Sequence, residues 1–384
     1  MKIDTNLIYR ASLVFSGTSI TLRITFLLVT LLAVACKTAR FPSGPHSATI
    51  TEQGLITCFS VGTSPDGKPV WCEASAVAYD GHTVLIANDK NGPANLSPVF
   101  SKTPAFLADS TQSPTYLMAP AYAEGQKYED FAQTPNRKFV FLTTAFDRVK
   151  SGSTDWNSYN TILYWRTGDE QHPRVLAPSD TSRSSIAYRE KLARVLATNE
   201  FPDGVPYLKV EGLAATDQHL LFGIREVGES YTSFRPVDKI VAVSYFTETT
   251  NQSESLRLSD DWQVVADFDP AKAEPSLPQP LSLSSIEFDP YRNGFWLLTS
   301  LETKDSLDAY LWFITPADLF ANKPFTLMRD SQGRPLRFGH KAEDLTPLDK
   351  NRLLVIHDDD RFQLPVGAQT RQPNQAPYAI VTVK

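Results

Sequence analysis

The chain has 384 residues, 42% of them hydrophobic and 21% charged, enough apolar material for a large core, and 37 Lys and Arg against 43 Asp and Glu leave a net charge of −6. That acid excess argues against a nucleic-acid binder working through a broad basic surface. No run of 20 apolar residues occurs beyond the N-terminal region, which excludes a polytopic helical membrane protein.

The N-terminal region reads as a leader. Ile24 to Ala35 (ITFLLVTLLAVA) is an apolar run too short to span a bilayer, preceded by Lys2, Arg10 and Arg23. It ends in Leu32-Ala33-Val34-Ala35-Cys36, which resembles a bacterial lipobox. The resemblance implies that residues 1–35 are a lipoprotein signal peptide, that Cys36 is lipidated, and that the membrane is one partner through this anchor. Lys37 then favours the outer membrane of a cell envelope, facing periplasm or exterior. A plain signal peptide or short anchor is the alternative. Residues 36–49, polar and broken by Pro and Gly, read as a tether.

Two further cysteines, Cys58 and Cys72, form an even pair in an oxidising compartment, and the Pro65-Asp66-Gly67 turn signal between them lets a hairpin bring them together as a disulfide. Two buried free thiols are the alternative. From there the chain consists of short runs rich in Val, Ile, Leu, Phe and Tyr, bounded by Gly, Pro, Asp, Asn or Ser. Strands are expected at 75–79, 83–87, 138–143, 160–165, 219–224, 239–245, 262–268, 295–299, 309–314, 352–357 and 378–383. Arg183 to Ala197 is the single long helical pattern, with Ile186, Leu192, Val195 and Leu196 at helical spacing.

The strands recur as a unit in which an acidic start leads into a short strand, a turn and a strongly apolar second strand with a polar end. The units begin at Glu73, Glu129, Glu211, a Ser284/Ser285 pair and Glu343, spaced roughly 55 to 80 residues apart, the period of a four-stranded blade with insertions. The expectation is an all-β, monomeric, single β-propeller over residues 50–384. It has five blades, or six if residues 91–125 or 177–209 hide another sheet, with one helical insertion and with Gly54 to Ser60 closing the ring beside the C-terminal strand. A β-sandwich is the structural alternative.

KVEGLA with LLFGIRE (Lys209–Glu226), EASAVAYDG with LIANDK (Glu73–Lys90) and AEDLTPL with LLVIHDDD (Ala342–Asp360) resemble bacterial secreted propellers, the esterase-like phytase group among them. These are blade motifs, and what they imply is a fold first; membership of the phytase-like group would further imply phosphoester hydrolysis.

In a propeller the strand starts converge at one channel mouth, so Glu73, Glu129, Glu211 and Glu343 should form a ring. Four carboxylates repel unless compensated, and two compensations offer themselves: a bound Ca²⁺, or the bases Lys90, Arg148, Arg225 and Arg361 that end the second strands of the same units. Two functional expectations follow. One is a ligand- or protein-binding scaffold in which those four bases hold a small anionic ligand. The other is a calcium-assisted phosphoester or ester hydrolase with Glu211 and Glu343 as catalytic candidates. His357 and the Asp358-Asp359-Asp360 run stand near the same mouth, the histidine reading as a core residue and the run as a solvated loop. There is no G-x-S-x-G, H-E-x-x-H, C-x-x-C, Walker or G-x-G-x-x-G pattern.

Overall fold

Runs of β-branched and aromatic residues cut by turn formers become antiparallel strands in the computed structural model, which describes residues 44–384 except 61–66, 91, 94, 95, 151, 251, 252 and 361. The leader, Cys36, Arg361 and the Pro65-Asp66 turn lie outside the described residues.

The first strand, β1 (Ala48–Thr57), waits for the last. Blade I is β2 (Ala74–Tyr79), β3 (Val84–Asn88), β4 (Val99–Lys102) and β5 (Thr115–Tyr116); blade II is β6 (Tyr128–Gln133), β7 (Phe139–Thr144), β8 (Ile162–Arg166) and β9 (Arg174–Val175). Blade III has β10 (Tyr207–Ala215), β11 (His219–Ser230) and the long β12 (Ser233–Thr250). This last strand pairs with β13 (Ser253–Leu258) along its C-terminal part and with β14 (Gln263–Phe268) along its middle. Blade IV is β15 (Ser282–Asp289), β16 (Gly294–Glu302), β17 (Leu307–Ile314) and β18 (Thr326–Leu327). Blade V runs β19 (Ala342–Pro347), β20 (Arg352–His357), past the small hairpin β21 (Pro365–Val366) and β22 (Gln369–Thr370), to β23 (Gln375–Val383), and its outer strand is β1.

Four four-stranded sheets and the five-stranded sheet of blade III make a five-bladed propeller. The β1–β23 pairing, from Ala48 opposite Val383 to Thr57 opposite Gln375, joins the two ends of the chain and leaves no open inner edge. It begins six residues before the expected closing segment. Residues 99–102 and 115–116 complete blade I, and 177–209 contain the helix Ile186–Val195, so among the described residues neither segment forms a sixth blade.

The strands read as nearly continuous apolar runs because each sheet is covered on both faces. Leu85, Ala87 and Val99 of blade I pack with Phe131, Val140 and Trp165 of blade II, while Val77, Val84 and Ile86 meet Leu354 and Ile356 of blade V. Phe222 and Val241 face Phe141 and Tyr164, with helix residues Tyr188 and Leu192 in the same layer; Leu221 and Ile240 face Phe295, Leu297 and Trp312. Trp296 and Phe313 close the circuit against Leu353 and Val355. Alternate side chains of one strand thus belong to different interblade layers. At the seam between blades III and IV, Gly212 lies opposite Gly223; a Cβ on Gly223 would sit 2.7 Å from Leu283 Cδ2 and 2.9 Å from the Gly212 Cα.

Candidate functional site at the channel mouth

The inner strands stand side by side in the order β2, β6, β10, β15, β19 and back to β2. Each of them slips register by one residue against its partner at the same place. The slip falls between Ala74 and Ala76, Tyr128 and Asp130, Val210 and Gly212, Leu283 and Ser285, and Ala342 and Asp344. The extra residue of each bulge is therefore Ser75, Glu129, Glu211, Ser284 or Glu343. A bulge re-aims the side chain it carries, and repeating it five times puts one chosen residue per blade at one level of the mouth.

This register corrects one element of the expected ring. Glu73 is not the counterpart of Glu129, Glu211 and Glu343; Ser75 is, and its hydroxyl donates to the Tyr128 carbonyl of the next blade at 2.5 Å. In blade IV the counterpart is Ser284. Glu73 sits two residues upstream, at the level where the other units carry Lys127, Lys209, Ser282 and Lys341.

Those lysines supply the charge the ring needs. Lys209 Nζ ion-pairs with Glu211 and stands 3.7 Å from Glu129 Oε1; Lys127 Nζ is 3.7 Å from the same oxygen and 2.8 Å from Asp147. Lys341 Nζ lies 2.8 Å from Glu343 and 3.4 Å from both Glu302 and Asp360. Arg225 is itself an extra residue of β11 against β10, lies 4.0 Å from Glu211, and donates to the Leu283 carbonyl, Ser284 Oγ and Ser300 Oγ at 3.0, 3.3 and 3.1 Å. A Lys-x-Glu step in three units, at 127–129, 209–211 and 341–343, was the readable signal for these bases.

Burial and charge divide the three glutamates. Burial would raise Glu211, yet Lys209, Arg225 and Lys341 hold it down at about 2. Burial pushes Glu343 up to about 8, with Lys341 opposing and Glu211 reinforcing. Burial and the Glu211 charge also push Glu129 well above the carboxylate range. At neutral pH the mouth thus holds a carboxylate, Glu211, beside two carboxylic acids.

Below this level lies a second acidic group. Asp130 and Asp344, the residues after the bulges of blades II and V, are fully buried and within hydrogen-bond reach of each other; burial raises both, Asp344 to about 7. Their carboxylates accept the inner-edge amides of the neighbouring blades, Leu213 N–H to Asp130 at 2.7 Å and Val77 N–H to Asp344 at 2.6 Å. Ser285 Oγ donates to Asp344 at 2.7 Å. This pair fastens blade to blade.

The four expected bases part company. Lys90 ion-pairs with Glu73, and Lys90 and Arg148 come together with Lys127, Asp89, Gln126 and Tyr159 around one cleft of about 560 Å³ between blades I and II. Arg225 is turned into the blade III–IV seam. Arg148 is half exposed, stacks over the Tyr159 ring at 4.6 Å and has one loose carboxylate neighbour, Asp147 at 3.5 Å. A second cleft, of about 420 Å³, shares Arg148 and is walled by Trp156, Tyr207 and Tyr231. Tyr231 is carried there because β11 and β12 overrun their sheet as a tongue, pairing Val227 with Arg235 and Ser230 with Ser233.

Glu73 has other company. With Asp358 and Asp360 it forms, among the described residues, the one group of three acids whose oxygens all lie within 4.8 Å of one another. Oxygen donors of this kind suit Ca²⁺. Each already has a cationic partner, however: Lys90 on Glu73, Arg371 at 3.2 Å from Asp358, and Lys341 on Asp360. The carboxylates expected to share one calcium ion are instead spread over lysine pairs. His357 is a buried core residue, lowered to about 3 by burial and the neighbouring His340. Asp359 is buried as well and receives His340 Nδ1 at 2.8 Å, so the triple-aspartate run is no solvated loop.

No family model and no curated protein sequence matches the chain. Among solved structures it is similar to the PQQ-bound aldose sugar dehydrogenase of Streptomyces coelicolor, with 10% identity, a TM-score of 0.34, and coverage of 89% of this chain and 100% of that one. It is similar also to an α-L-arabinofuranosidase of Podospora anserina (12%, TM-score 0.38, 85% and 98%) and to a glycosyl hydrolase of Bacteroides ovatus (10%, TM-score 0.37, 90% and 92%). Likeness at this level carries no argument, and the architecture and blade count rest on the strand pairing. The resemblance to the phytase group is carried by no family match.

Proposed function

We propose that the chain is a lipid-anchored propeller of the bacterial envelope that binds a small anionic ligand at its channel mouth. The observation that carries this reading is the convergence of Lys90, Lys127 and Arg148, from two blades, on one open cleft of an otherwise acidic protein. Lys90 and Arg148 keep much of their side chains in solvent, so an anion can recruit them at little desolvation cost, and the Arg148 fork can meet a carboxylate or phosphate bidentately. The anchor half of the reading rests on Cys36 and the apolar run before it. The test is a thermal-shift titration of the full chain in detergent with citrate and inorganic phosphate. Stabilisation that falls with added salt and disappears in Arg148→Ala supports the proposal; an unchanged melt at saturating anion refutes it.

A second reading is favoured by one observation, the division of Glu211 and Glu343 into carboxylate and acid. An ionised Glu211 beside a protonated Glu343 is the arrangement a general base and general acid need for ester or phosphoester hydrolysis. Should Ca²⁺ take part, Glu73, Asp358 and Asp360 would hold it after giving up their basic partners.

A further inference from the structure

Resting on the anion-binding reading, we infer that the ligand is an acidic saccharide, its anionic group in the basic cleft and a sugar ring in the adjoining aromatic one. The two clefts share Arg148, so one molecule can occupy both. Their linings differ in kind. The first offers Lys90 and Lys127, with Asp89 the one acid of its lining. The second presents the ring of Trp156, 43% exposed, on the loop after β7, and that of Tyr231, 72% exposed, at the tip of the blade III tongue.

Exposed rings alone would suit any apolar body, but the polar groups between them select for hydroxyls. Asp147 lines the same cleft and is buried, with 7% of its surface exposed; its Oδ2 takes Lys127 at 2.8 Å while its Oδ1 accepts no hydrogen bond. Arg148 Nε stands 3.5 Å from that Oδ1, so the buried Asp147 holds Lys127 and Arg148 in place between the two arms. Glu229, exposed on the tongue in the same lining, offers its carboxylate to a sugar hydroxyl. It stands in the aromatic arm, where it repels an anion and accepts from hydroxyls. The charged group is therefore directed to the lysine arm and the ring to the tryptophan arm, with Arg148 between them. Stacking of sugar C–H faces on Trp156 and Tyr231 supplies the apolar contact without closing off the polar edge.

The test measures binding to the full chain in detergent by calorimetry. The probes are trigalacturonate, its methyl ester, maltotriose, glucose 6-phosphate and citrate. Trigalacturonate or glucose 6-phosphate should bind at least tenfold more tightly than citrate, and the comparison between these two tells carboxylate from phosphate as the anionic group. The methyl ester and maltotriose should lose at least tenfold. Trp156→Ala should remove the advantage over citrate while leaving citrate binding intact, and Trp156→Phe should restore most of it. Equal binding of citrate and both charged sugars, unaffected by Trp156→Ala, overturns this inference and leaves the anion site standing. Binding of none of the probes overturns both.

Discussion

Arg225 of blade III donates to the hydroxyl of Ser284 in blade IV at 3.3 Å, so the guanidinium ends where the bulge of that blade carries a hydroxyl instead of an acid. The absence of a glutamate at this position of blade IV is thus matched by a base from the preceding blade, which also answers Glu211 at 4.0 Å. Arg225→Leu removes that answer from a buried carboxylate. It should cost about 3–5 kcal/mol, the usual consequence of breaking a buried pair from one side. Urea denaturation of variant and parent measures it; a loss under about 1 kcal/mol, the level of an exposed pair, would show the seam to be held by packing alone.

The excess of buried acids sets a pH dependence. Burial raises Asp238 to about 8 and Asp344 and Asp358 to about 7, so the folded protein holds protons that the unfolded chain, with ordinary carboxylates, has released by about pH 5. Between about pH 5 and 8 the native state binds more protons than the unfolded one, and stability falls as pH rises through that window. Asp238 Oδ1 accepts no hydrogen bond, so Asp238→Asn loses little and should flatten the decline. Melting temperatures from pH 5 to about 9 decide this; parallel curves for variant and parent would acquit Asp238.

Hydrolysis at the mouth, if it is the chain's activity, carries its own pH signature. Glu343 must stay protonated and Glu211 ionised, which gives a plateau that ends above about pH 8 on the alkaline side. Glu343→Gln should then lower turnover of a phosphoester or ester by about 10²–10⁴-fold, the range of a general acid–base contribution. Retained turnover in that variant would leave Glu343 as part of the structural ring and the binding reading in possession of the site.

Much of this architecture was legible because blades repeat. Strands such as Arg352–His357 lie where expected, and the pairing of the Gly54 region with the C-terminal strand closes the ring. The mouth was legible only in part. The segment Glu73-Ala-Ser-Ala-Val fits the strand start in two registers, and what decides between them is a one-residue bulge, set by cross-strand pairing and invisible to a local pattern. Lys127, Lys209 and Lys341 could have been found from their Lys-x-Glu spacing. Trp156 and Tyr231 could not, since one lies on a loop and the other on a strand overrun, and only the fold brings them to Arg148.

The expected calcium ring and the lysine pairs make opposite predictions for chelation. Lys127, Lys209 and Lys341 stand beside Glu129, Glu211 and Glu343, and Lys90, Arg371 and Lys341 on the Glu73 cluster, so each of these carboxylates has a basic partner without a divalent ion. The melting temperature of the full chain should be the same in EDTA and in millimolar Ca²⁺. A calcium-dependent rise that vanishes in Asp358→Asn would show that the ion displaces Arg371 or Lys90, and would bring calcium back into the site.

The disulfide joins the end of β1, the outer strand of blade V, to the approach to blade I. Both cysteines are buried, and their amides bond neighbouring carbonyls, Cys58 N–H to Asn374 at 2.9 Å and Cys72 N–H to Pro373 at 2.6 Å. The two segments are thus placed by the backbone as well as by sulfur, so the bridge should act mainly on the unfolded chain. For a loop of this length the chain-entropy cost removed is about 3 kcal/mol. The double variant Cys58→Ala, Cys72→Ala avoids burying hydroxyls and should lose about that much in denaturant unfolding while keeping its native spectrum. Glu73 follows Cys72 directly and Arg371 donates to the Cys72 carbonyl at 2.6 Å, so ligand affinity at the Lys90 cleft reads the same hinge. Unchanged affinity with lowered stability fixes the bridge as a clasp on the closed ring. A loss of both together would make it a support of the cleft.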